Sequence, residues 1–253
     1  MNSVPVLMYH HILEKDSFIA SSIENFEKQM KFLAENNYKT LTSKEFLEFK
    51  QGKKKFKKAI FITFDDGWRD NYYFAYPVLK KYNLKATIFL VTEWIEKASE
   101  KKSEFKPLKH NEAKKEVQIN PSSVILNWNE IEKMSDVLDF HSHTHSHRDF
   151  YFGKEYSWEE EFEKSKEILK NRLGVDSKHL CWPRGKYDNN LIMLVKKNFK
   201  IFYTTKRGIN LADNNLDEIK RIAIKKDDRW LKKQIKIFSN PIFGYLYSKV
   251  KPE

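Results

Sequence analysis

The sequence predicts an α/β protein with a distorted or incomplete (β/α) barrel in a single domain. Three observations favour this class: short apolar runs typical of buried strands, helical periodicity between them, and ionisable residues where several strands end. In such folds catalytic groups gather at the carboxyl ends of parallel strands. A chain of 253 residues with 40% hydrophobic content can bury one large core, which fits one domain.

Strands and helices are predicted to alternate along the chain. The first strand covers Val4 to Tyr9, and helical patterns follow Ser22 and Thr42. The strand 59–64, the helix 68–81 and the strand 86–91 form a βαβ unit, which implies parallel pairing and a right-handed crossover. Further helices are predicted at 128–134, 157–172 and 189–197, and further strands at 137–140, 180–182, 201–204 and 219–224.

Two segments depart from this alternation. Residues 96–123 are polar and lack clean periodicity, so we expect an insertion or mobile loop above the strand ends. We assign residues 1–228 to the main domain and 229–253 to a basic amphipathic C-terminal segment, where apolar residues alternate with lysines. That pattern fits peripheral contact with an anionic membrane surface. A helix and tail packed on the barrel is the alternative.

Charge and cysteine content restrict the partners and the ligands. The chain carries 47 Lys and Arg against 35 Asp and Glu, a net charge of +12. Such a charge attracts nucleic acid, anionic lipid or acidic glycan. Because the lysines are spread over helix faces without a nucleic-acid-binding signature, we expect no nucleic-acid partner. Cys181 is the single cysteine, so a metal must be held by His, Asp or Glu.

The N-terminus and the hydropathy pattern bear on location. The first residues show neither a basic region nor a long apolar stretch, so no signal peptide is visible. No apolar run is long enough to span a bilayer. We expect a cytoplasmic protein, peripheral to the inner membrane face if the C-terminal segment binds lipid, unless a leader has been removed.

Ionisable residues follow three of the predicted strands. Asp65, Asp66 and Gly67 end one strand, His10 and His11 end another, and a run with four histidines, 141–147, follows a third. Carboxylates and histidines together at strand ends predict a metal site. Two ligand pairs have the same i, i+4 spacing: His141 with His145, and His143 with His147. Spacing by itself leaves both pairs open.

Several motifs resemble the polysaccharide deacetylases of carbohydrate esterase family 4. These are Thr63-Phe64-Asp65-Asp66-Gly67 with its continuation 68–72, the run 126–131 with the histidine cluster, and Trp182-Pro183-Arg184-Gly185. The opening 4–11 resembles the circularly permuted branch that includes poly-N-acetylglucosamine deacetylases. The resemblance covers roughly residues 4–224. It implies a distorted (β/α) barrel and metal-dependent removal of acetyl groups from an N-acetylhexosamine glycan or glycoconjugate.

The resemblance also implies roles for individual residues. Asp65 becomes the base that takes a proton from the attacking water, and Asp66 becomes a ligand of a divalent metal, for which we expect Zn²⁺. His10 becomes the general acid. Neighbouring His11 competes for that role, but adjacent strand residues face opposite sides, which favours one of the two. Alignment with the family motif selects His143 and His147 as the remaining ligands, with His141 or His145 near enough to support them.

The Pro-Arg-Gly motif departs from the family pattern. Arg184 stands where the family has tyrosine, but the oxyanion donor implied there is a main-chain N–H, which survives the change. We assign sugar contacts to Tyr151, Trp182, Pro183 and Gly185. No arginine precedes the proline to orient Asp65, and Arg221 is a possible substitute.

Two other functions stay open on the sequence. One is a related metal-dependent hydrolase of another linear amide or acyl group, and the other is a non-catalytic glycan-binding protein on the same fold. The substrate of an N-deacetylase could be an oligosaccharide, a polysaccharide or a lipid-linked sugar. The retained carboxylate pair argues against the binding protein, because a binding module needs no base beside a metal.

Overall fold

The structure, a computed structural model, describes residues 3–149 and 152–250. Its strands are β1 (Val6–Tyr9), β2 (His11–Leu13), β3 (Ala20–Ser22), β4 (Lys39–Thr40), β5 (Ala59–Phe64), β6 (Ala86–Leu90), β7 (Leu138–Ser142), β8 (His179–Cys181), β9 (Ile201–Tyr203) and β10 (Ile222–Ala223). Its α-helices are α1 (Ile23–Glu35), α2 (Ser43–Lys50), α3 (Tyr76–Lys81), α4 (Thr92–Ser99), α5 (His110–Ile119), α6 (Trp128–Met134), α7 (Trp158–Leu173), α8 (Asn189–Val195), α9 (Asp228–Ser239) and α10 (Pro241–Val250).

One curled parallel sheet organises the chain. Its strand order is β10-β1-β5-β6-β7-β8-β9, with β4 paired to the start of β5, while β2 and β3 form a separate two-stranded sheet. Tyr203 in β9 also bridges to Ile219, just ahead of β10. The two edges of the sheet therefore approach each other without a continuous ladder. The distorted or incomplete (β/α) barrel predicted from the sequence is confirmed.

Alternation along the strands separates two hydrophobic layers. Phe61, Phe89 and Tyr203 pack together inside the curl of the sheet. Ile60, Ile62 and the alternate residues of the neighbouring strands instead pack beneath the helices. Because side chains alternate along a strand, alternation also predicts the face of the sheet toward which the residue after each strand points. This rule decides which ionisable groups reach the open end of the barrel.

Helix starts follow the cap signals in the sequence. Thr42, Asn127 and Ser157 each form a capping box with the glutamate three residues later, at the starts of α2, α6 and α7. The predicted helix at 68–81 is shortened. Its first residues form a turn in which the Arg69 backbone N–H donates to Val124 O at 2.7 Å, and π-helix 71–75 precedes α3. Because the Arg69 N–H bonds to Val124 O, it is not part of a regular α-helical hydrogen-bond pattern.

The segment 96–123 is more regular than the sequence analysis expects. Helix α4 continues to Ser99, and α5 covers ten of the residues assigned to an irregular loop. Ala113 and Val117 on α5 are buried in the main core, which explains why a largely polar segment is ordered. The expected place above the strand ends is correct, since α5 borders the cleft described below.

The C-terminal segment has one packed helix and one largely exposed helix. In α9, Leu231, Ile235 and Phe238 join the main core. In α10, Gly244 packs against Ile209, whereas the outward side chains Ile242, Phe243, Tyr245, Leu246 and Val250 are exposed. Within residues 3–149 and 152–250, no helix combines the length and the apolar character that a membrane span requires.

Candidate active site

A left-handed turn brings two adjacent carboxylates into one cleft. Asp65 continues the side of β5 that faces the inside of the sheet. Alternation would send Asp66 to the opposite side, but its φ of +74° reverses the chain direction, and Gly67 follows with φ of +85°. A Cβ at Gly67 would lie 3.0 Å from Leu90 Cδ2, so glycine suits this turn. Both aspartates therefore line the same cleft at the open end of the barrel.

Arg221 is the partner of Asp65. Its Nη1 and Nη2 donate to Asp65 Oδ1 and Oδ2 at 2.6 and 2.8 Å, and both side chains are buried. Burial raises the pKa of Asp65, but the charge and hydrogen bonds of Arg221 outweigh that effect and lower it. The substitute proposed from the sequence is confirmed as the arginine that orients this carboxylate. The pair also links the residue before β10 to the residue after β5, across the intervening β1.

Asp66, His143 and His147 converge on one point. The Oδ1 atom of Asp66 lies 3.3 Å from His143 Nε2 and 3.5 Å from His147 Nε2. One potential ligand atom from each residue lies within 4.8 Å of the others. Burial raises the pKa of Asp66, but the two histidines hold it well below its ordinary value. This carboxylate is therefore ionised at neutral pH.

Hydrogen bonds to the outer atoms orient Asp66 and His143, and a carboxylate lies beside the outer nitrogen of His147. His143 Nδ1 donates to the Cys181 carbonyl at 2.8 Å, and Trp68 Nε1 donates to Asp66 Oδ2 at 2.8 Å. His147 Nδ1 lies 3.3 Å from the Asp149 carboxylate. Each histidine thereby turns Nε2 toward Asp66. Such support of the outer nitrogen by a carbonyl or carboxylate is typical of metal-binding histidines.

The donor set fits a divalent metal. Asp66 Oδ1 is a buried acceptor without a hydrogen bond from any described residue, an arrangement that costs free energy unless a cation or water satisfies it. Two imidazole nitrogens and one carboxylate oxygen match zinc and related catalytic metals that keep open positions. Asp65, His143 and Cys181 form a second possible cluster. We favour the first because Arg221 already occupies both oxygens of Asp65.

The other two histidines of the run lie elsewhere. His141 Nδ1 is 3.0 Å from Ser177 Oγ, and its ring stacks on His179 at 4.4 Å. His145 Nδ1 is 3.0 Å from Thr92 Oγ1. The expectation that one of them supports the ligands is wrong. Strand alternation keeps His141 on the inner side of the sheet, but deeper in the barrel than His143. Thr144 has a left-handed backbone, with φ of +67°, which changes the chain direction before His145.

His10 and His11 face opposite sides, as strand alternation predicts. His10 lines the cleft, and its Nε2 lies 3.7 Å from Asp65 Oδ2. Burial lowers the pKa of His10, while Asp65 and Asp66 oppose that change. His11 is buried and its Nδ1 lies 2.6 Å from Asp70 Oδ2. Of the two, His10 is therefore placed for proton transfer in the cleft.

The residues around Arg184 divide between the cleft and the core. Arg184 lines the cleft with a left-handed backbone, φ of +56°. Gly185 packs on Thr205, since a Cβ there would lie 2.3 Å from Thr205 Oγ1, and it is absent from the described cleft lining. Pro183 is buried and borders a neighbouring shallow cleft that also includes Arg184. Both residues shape the turn that presents Arg184.

The assignment of Trp182 to sugar binding is wrong. The residue is fully buried, and its ring packs against Phe162 and Tyr187 beneath α7 and α8. Because Cys181 faces the inside of the sheet, the next residue faces the helices. Tyr151, the other aromatic residue assigned to the sugar, lies outside the described residues.

Several cleft residues were not assigned from the sequence. The cleft has a volume of about 420 Å³. Its lining includes Phe18, Trp94, His110 and Lys114 besides the site residues. Phe18 is 74% exposed, which suits an apolar contact with a sugar face. In the sequence, Phe18 is an aromatic residue in a polar stretch, and His110 belongs to the segment 96–123. Neither position indicates a contact with the cleft until the fold is known.

Comparison with known proteins agrees with this geometry. A family model described as polysaccharide deacetylase matches residues 52–199. The chain is 31% identical over 223 residues to YxkH of Bacillus subtilis strain 168, assigned to the polysaccharide deacetylases, covering 87% of this chain and 71% of that one. It is 27% identical over 252 residues to a poly-β-1,6-N-acetyl-D-glucosamine N-deacetylase of Staphylococcus epidermidis, covering 89% and 80%.

A solved structure extends the match to the whole fold. The deacetylase PplD of Streptococcus pyogenes, in complex with acetate, superposes with a TM-score of 0.76 at 25% identity, over 92% of this chain and 98% of that one. The resemblance inferred from the motifs is thereby confirmed over most of the chain. This protein belongs to the polysaccharide deacetylase family, carbohydrate esterase family 4.

Proposed function

We propose that the chain hydrolyses the N-acetyl amide of N-acetylglucosamine units in a polysaccharide. One observation carries the proposal: the Asp65 carboxylate, held by Arg221, lies in the same open cleft as the convergent Asp66, His143 and His147. A base beside a ligand set is what amide hydrolysis by a metal-activated water requires. The family relative that acts on poly-β-1,6-N-acetyl-D-glucosamine supports this polymer class as the substrate.

Asp66, His143 and His147 would hold the metal, for which we propose Zn²⁺. When bound, a divalent ion supplies positive charge that activates water and stabilises a developing oxyanion. Trp68 orients Asp66, the Cys181 carbonyl orients His143, and the Asp149 carboxylate lies beside His147 Nδ1. The ligands are therefore placed before a metal arrives.

Asp65 and His10 are proposed as base and acid. Arg221 keeps the Asp65 carboxylate ionised and fixes the direction of both oxygens, so one can accept a proton from the attacking water. His10 Nε2, at 3.7 Å from Asp65 Oδ2, is close enough to share the same substrate. Its lowered pKa makes the imidazolium a stronger acid toward the leaving amine. The Arg184 main-chain N–H is proposed as a donor to the oxyanion.

The experiment measures acetate released from poly-β-1,6-N-acetylglucosamine, chitooligomers and peptidoglycan fragments. We expect release from at least one polymer, loss after chelation, and recovery when Zn²⁺ is returned. The matched control is Asp65→Asn, which removes the base while its amide can still hydrogen-bond to Arg221. Undiminished release by a chelated preparation shown to be metal-free would overturn the metal mechanism.

Membrane contact through residues 229–253 and a cytoplasmic location remain proposals. The exposed side chains Ile242, Phe243 and Leu246, with Lys249 on the same helix, support contact with an anionic surface. A lipid-linked sugar would then be an accessible substrate. Flotation with anionic vesicles tests this idea, and absence of the protein from the lipid fraction, with intact and truncated chains alike, would remove it.

A further inference from the structure

Three buried or half-buried side chains form a hydrogen-bonded chain that ends in the cleft. Asp70 Oδ2 lies 2.6 Å from His11 Nδ1, and His11 Nε2 lies 3.1 Å from His110 Nδ1. The chain starts at Asp70, directly before the π-helix 71–75, passes through β2 and ends at the first residue of α5. His10 and the ligand residues form no link in it, although His110 lines the same cleft.

Asp70 fixes the proton of His11. The carboxylate also accepts from the Ile12 backbone N–H at 2.8 Å and from Asn71 Nδ2 at 2.8 Å. A carboxylate that accepts several hydrogen bonds acts as an acceptor toward its remaining partner. His11 must therefore carry a proton on Nδ1. Its ring is fully buried and stacked on Trp68 at 4.3 Å, which prevents an alternative ring orientation.

With a single proton on the His11 ring, at Nδ1, the tautomer of His110 is determined. In the neutral form of His11, Nε2 can only accept, so the hydrogen bond between the two rings requires a proton on His110 Nδ1. Neutral His110 then carries a lone pair on Nε2. This tautomer is the opposite of the one that a free imidazole side chain prefers, so the protein has to impose it.

His110 lines the cleft, and its second ring nitrogen, Nε2, lies outside the hydrogen-bonded chain. The residue lines the cleft beside the exposed Phe18, whose ring meets that of His110 edge-on at 6.1 Å. No residue in the described ranges forms a hydrogen bond with His110 Nε2. Burial lowers the pKa of His110 to about 4, so the ring is neutral at pH 7. An apolar ring next to a single acceptor is a combination that suits the face and hydroxyl edge of a sugar.

We propose that His110 is a substrate-binding residue that accepts a hydrogen bond from a hydroxyl group of the bound sugar, and that Asp70 and His11 are positioning residues that fix its tautomer. The proposal rests on the proposed function for the identity of the ligand as a sugar. The chain also joins α5 to the barrel. A purely structural role would require the same contacts but would not require a particular tautomer or a ligand.

The tautomer is measured first, without any substrate. The ¹⁵N chemical shifts of the imidazole nitrogens in the zinc-loaded protein at pH 8 report which nitrogen carries the proton. We expect His110 to be protonated on Nδ1 in the unmodified protein and on Nε2 in His11→Phe, which keeps the stacking on Trp68 but removes the link. Protonation of His110 on Nε2 in the unmodified protein would overturn the positioning role.

Binding is measured next, with Asp65→Asn as the inactive background and an N-acetylglucosamine oligomer as the probe. We expect His110→Ala to weaken binding about 10-fold, the loss of one good hydrogen bond, and His110→Gln to restore part of it through the side-chain oxygen. His145→Ala, a histidine outside the cleft, is the matched control. In the active protein, KM should rise in His110→Ala and His11→Phe while kcat and zinc content change little.

The outcomes separate this proposal from the proposed function. If the Asp65→Asn protein binds the oligomer and His110→Ala binds it equally well, the role of His110 is overturned while the deacetylase proposal stands. A fall in kcat at constant KM would also contradict a binding role. If no N-acetylglucosamine oligomer binds and no acetate is released, the proposed function itself fails, and the sugar-binding role of His110 fails with it. The ¹⁵N measurement would still decide the tautomer.

Discussion

Two pairs of buried histidines lie at or near the same sheet, and they differ in their neighbours. The cleft histidines, His143 and His147, both approach the Asp66 carboxylate. The interior histidines, His141 and His179, stack on each other and bond to hydroxyl groups of Ser177 and Tyr203. One residue, Ser142 at the end of β7, separates His141 from His143.

Equal burial has opposite consequences for His143 and for the interior pair. Burial lowers the pKa of His143, but Cys181 and the Asp66 carboxylate raise it well above its ordinary value. Burial lowers the pKa of His141 to about 4 and that of His179 well below its ordinary value. The Asp66 carboxylate in direct contact favours a cation beside His143, whereas at His141 the effect of burial outweighs the charge of Asp139. The first pair suits a metal, and the second suits a neutral packed core.

The largest expected effect is loss of metal from the cleft pair. His143→Ala, His147→Ala and Asp66→Ala should each release the metal and reduce acetate release to background, because three ligands are the minimum of the proposed site. Metal content by elemental analysis after dialysis is the measurement. His141→Ala is the matched control and should retain metal. If His141→Ala and His145→Ala released the metal while His143→Ala did not, the assignment of His143 and His147 as ligands would be wrong.

Asp65→Asn should reduce kcat by about 10²–10⁴-fold with metal content unchanged, since it removes the base alone. The site should stay intact because Arg221 can still donate to the side-chain oxygen of asparagine. Steady-state acetate release and elemental analysis of the same preparation are compared. Wild-type turnover in this variant would show that the carboxylate next to the ligand set is not the base.

His10→Ala should also reduce kcat, by about 10²-fold or more on ordinary N-acetyl sugars. The loss should shrink on an aryl N-acetyl or ester substrate, because a good leaving group departs without a proton from the protein. The measurement is the ratio of the wild-type kcat to the variant kcat, determined on each of the two substrates. An equal loss of kcat on both substrates would contradict an acid role for His10. His11→Phe is the control variant, because His11 faces away from the cleft.

Trp68→Phe should weaken metal binding by about 10–100-fold without removing a ligand, because Asp66 loses the hydrogen bond that orients its outer oxygen. Competition with a chromophoric chelator measures the affinity. Phenylalanine preserves most of the stacking on His11, so folding should survive. Unchanged affinity would mean that the left-handed turn at Asp66 orients the carboxylate without help.

The smallest effect concerns the interior pair and stability in acid. Unfolded His141 binds a proton below about pH 6.5, whereas the folded residue binds one only below about pH 4. Between these values the unfolded state holds more protons, so stability falls as the pH falls, by up to about 3 kcal/mol. His141→Asn should flatten that part of the stability curve. Urea unfolding at pH 8 and pH 4.5 tests this, and parallel curves for both proteins would contradict it.

The sequence determined the fold class and the chemistry of the site. Apolar runs of strand length, cap residues and the carboxylate pair after β5 are local signals, and local physics suffices to interpret them. Strand alternation correctly separated His10 from His11, which lie where β1 ends and β2 begins. The same rule did not prevent the wrong assignment of Trp182 to the sugar, because only the structure shows on which side Cys181 lies.

Only the tertiary structure decided which distant groups meet. Arg221 lies more than 150 residues from Asp65 in the chain, and neither residue specifies the other locally. His110 belongs to a segment without clear periodicity, and its link to His11 exists because α5 packs over the strand ends. Left-handed turns at Asp66, Thr144 and His147 override strand alternation at the site. Such backbone conformations persist only when the surrounding fold enforces them, so the site geometry follows from packing across the whole sheet.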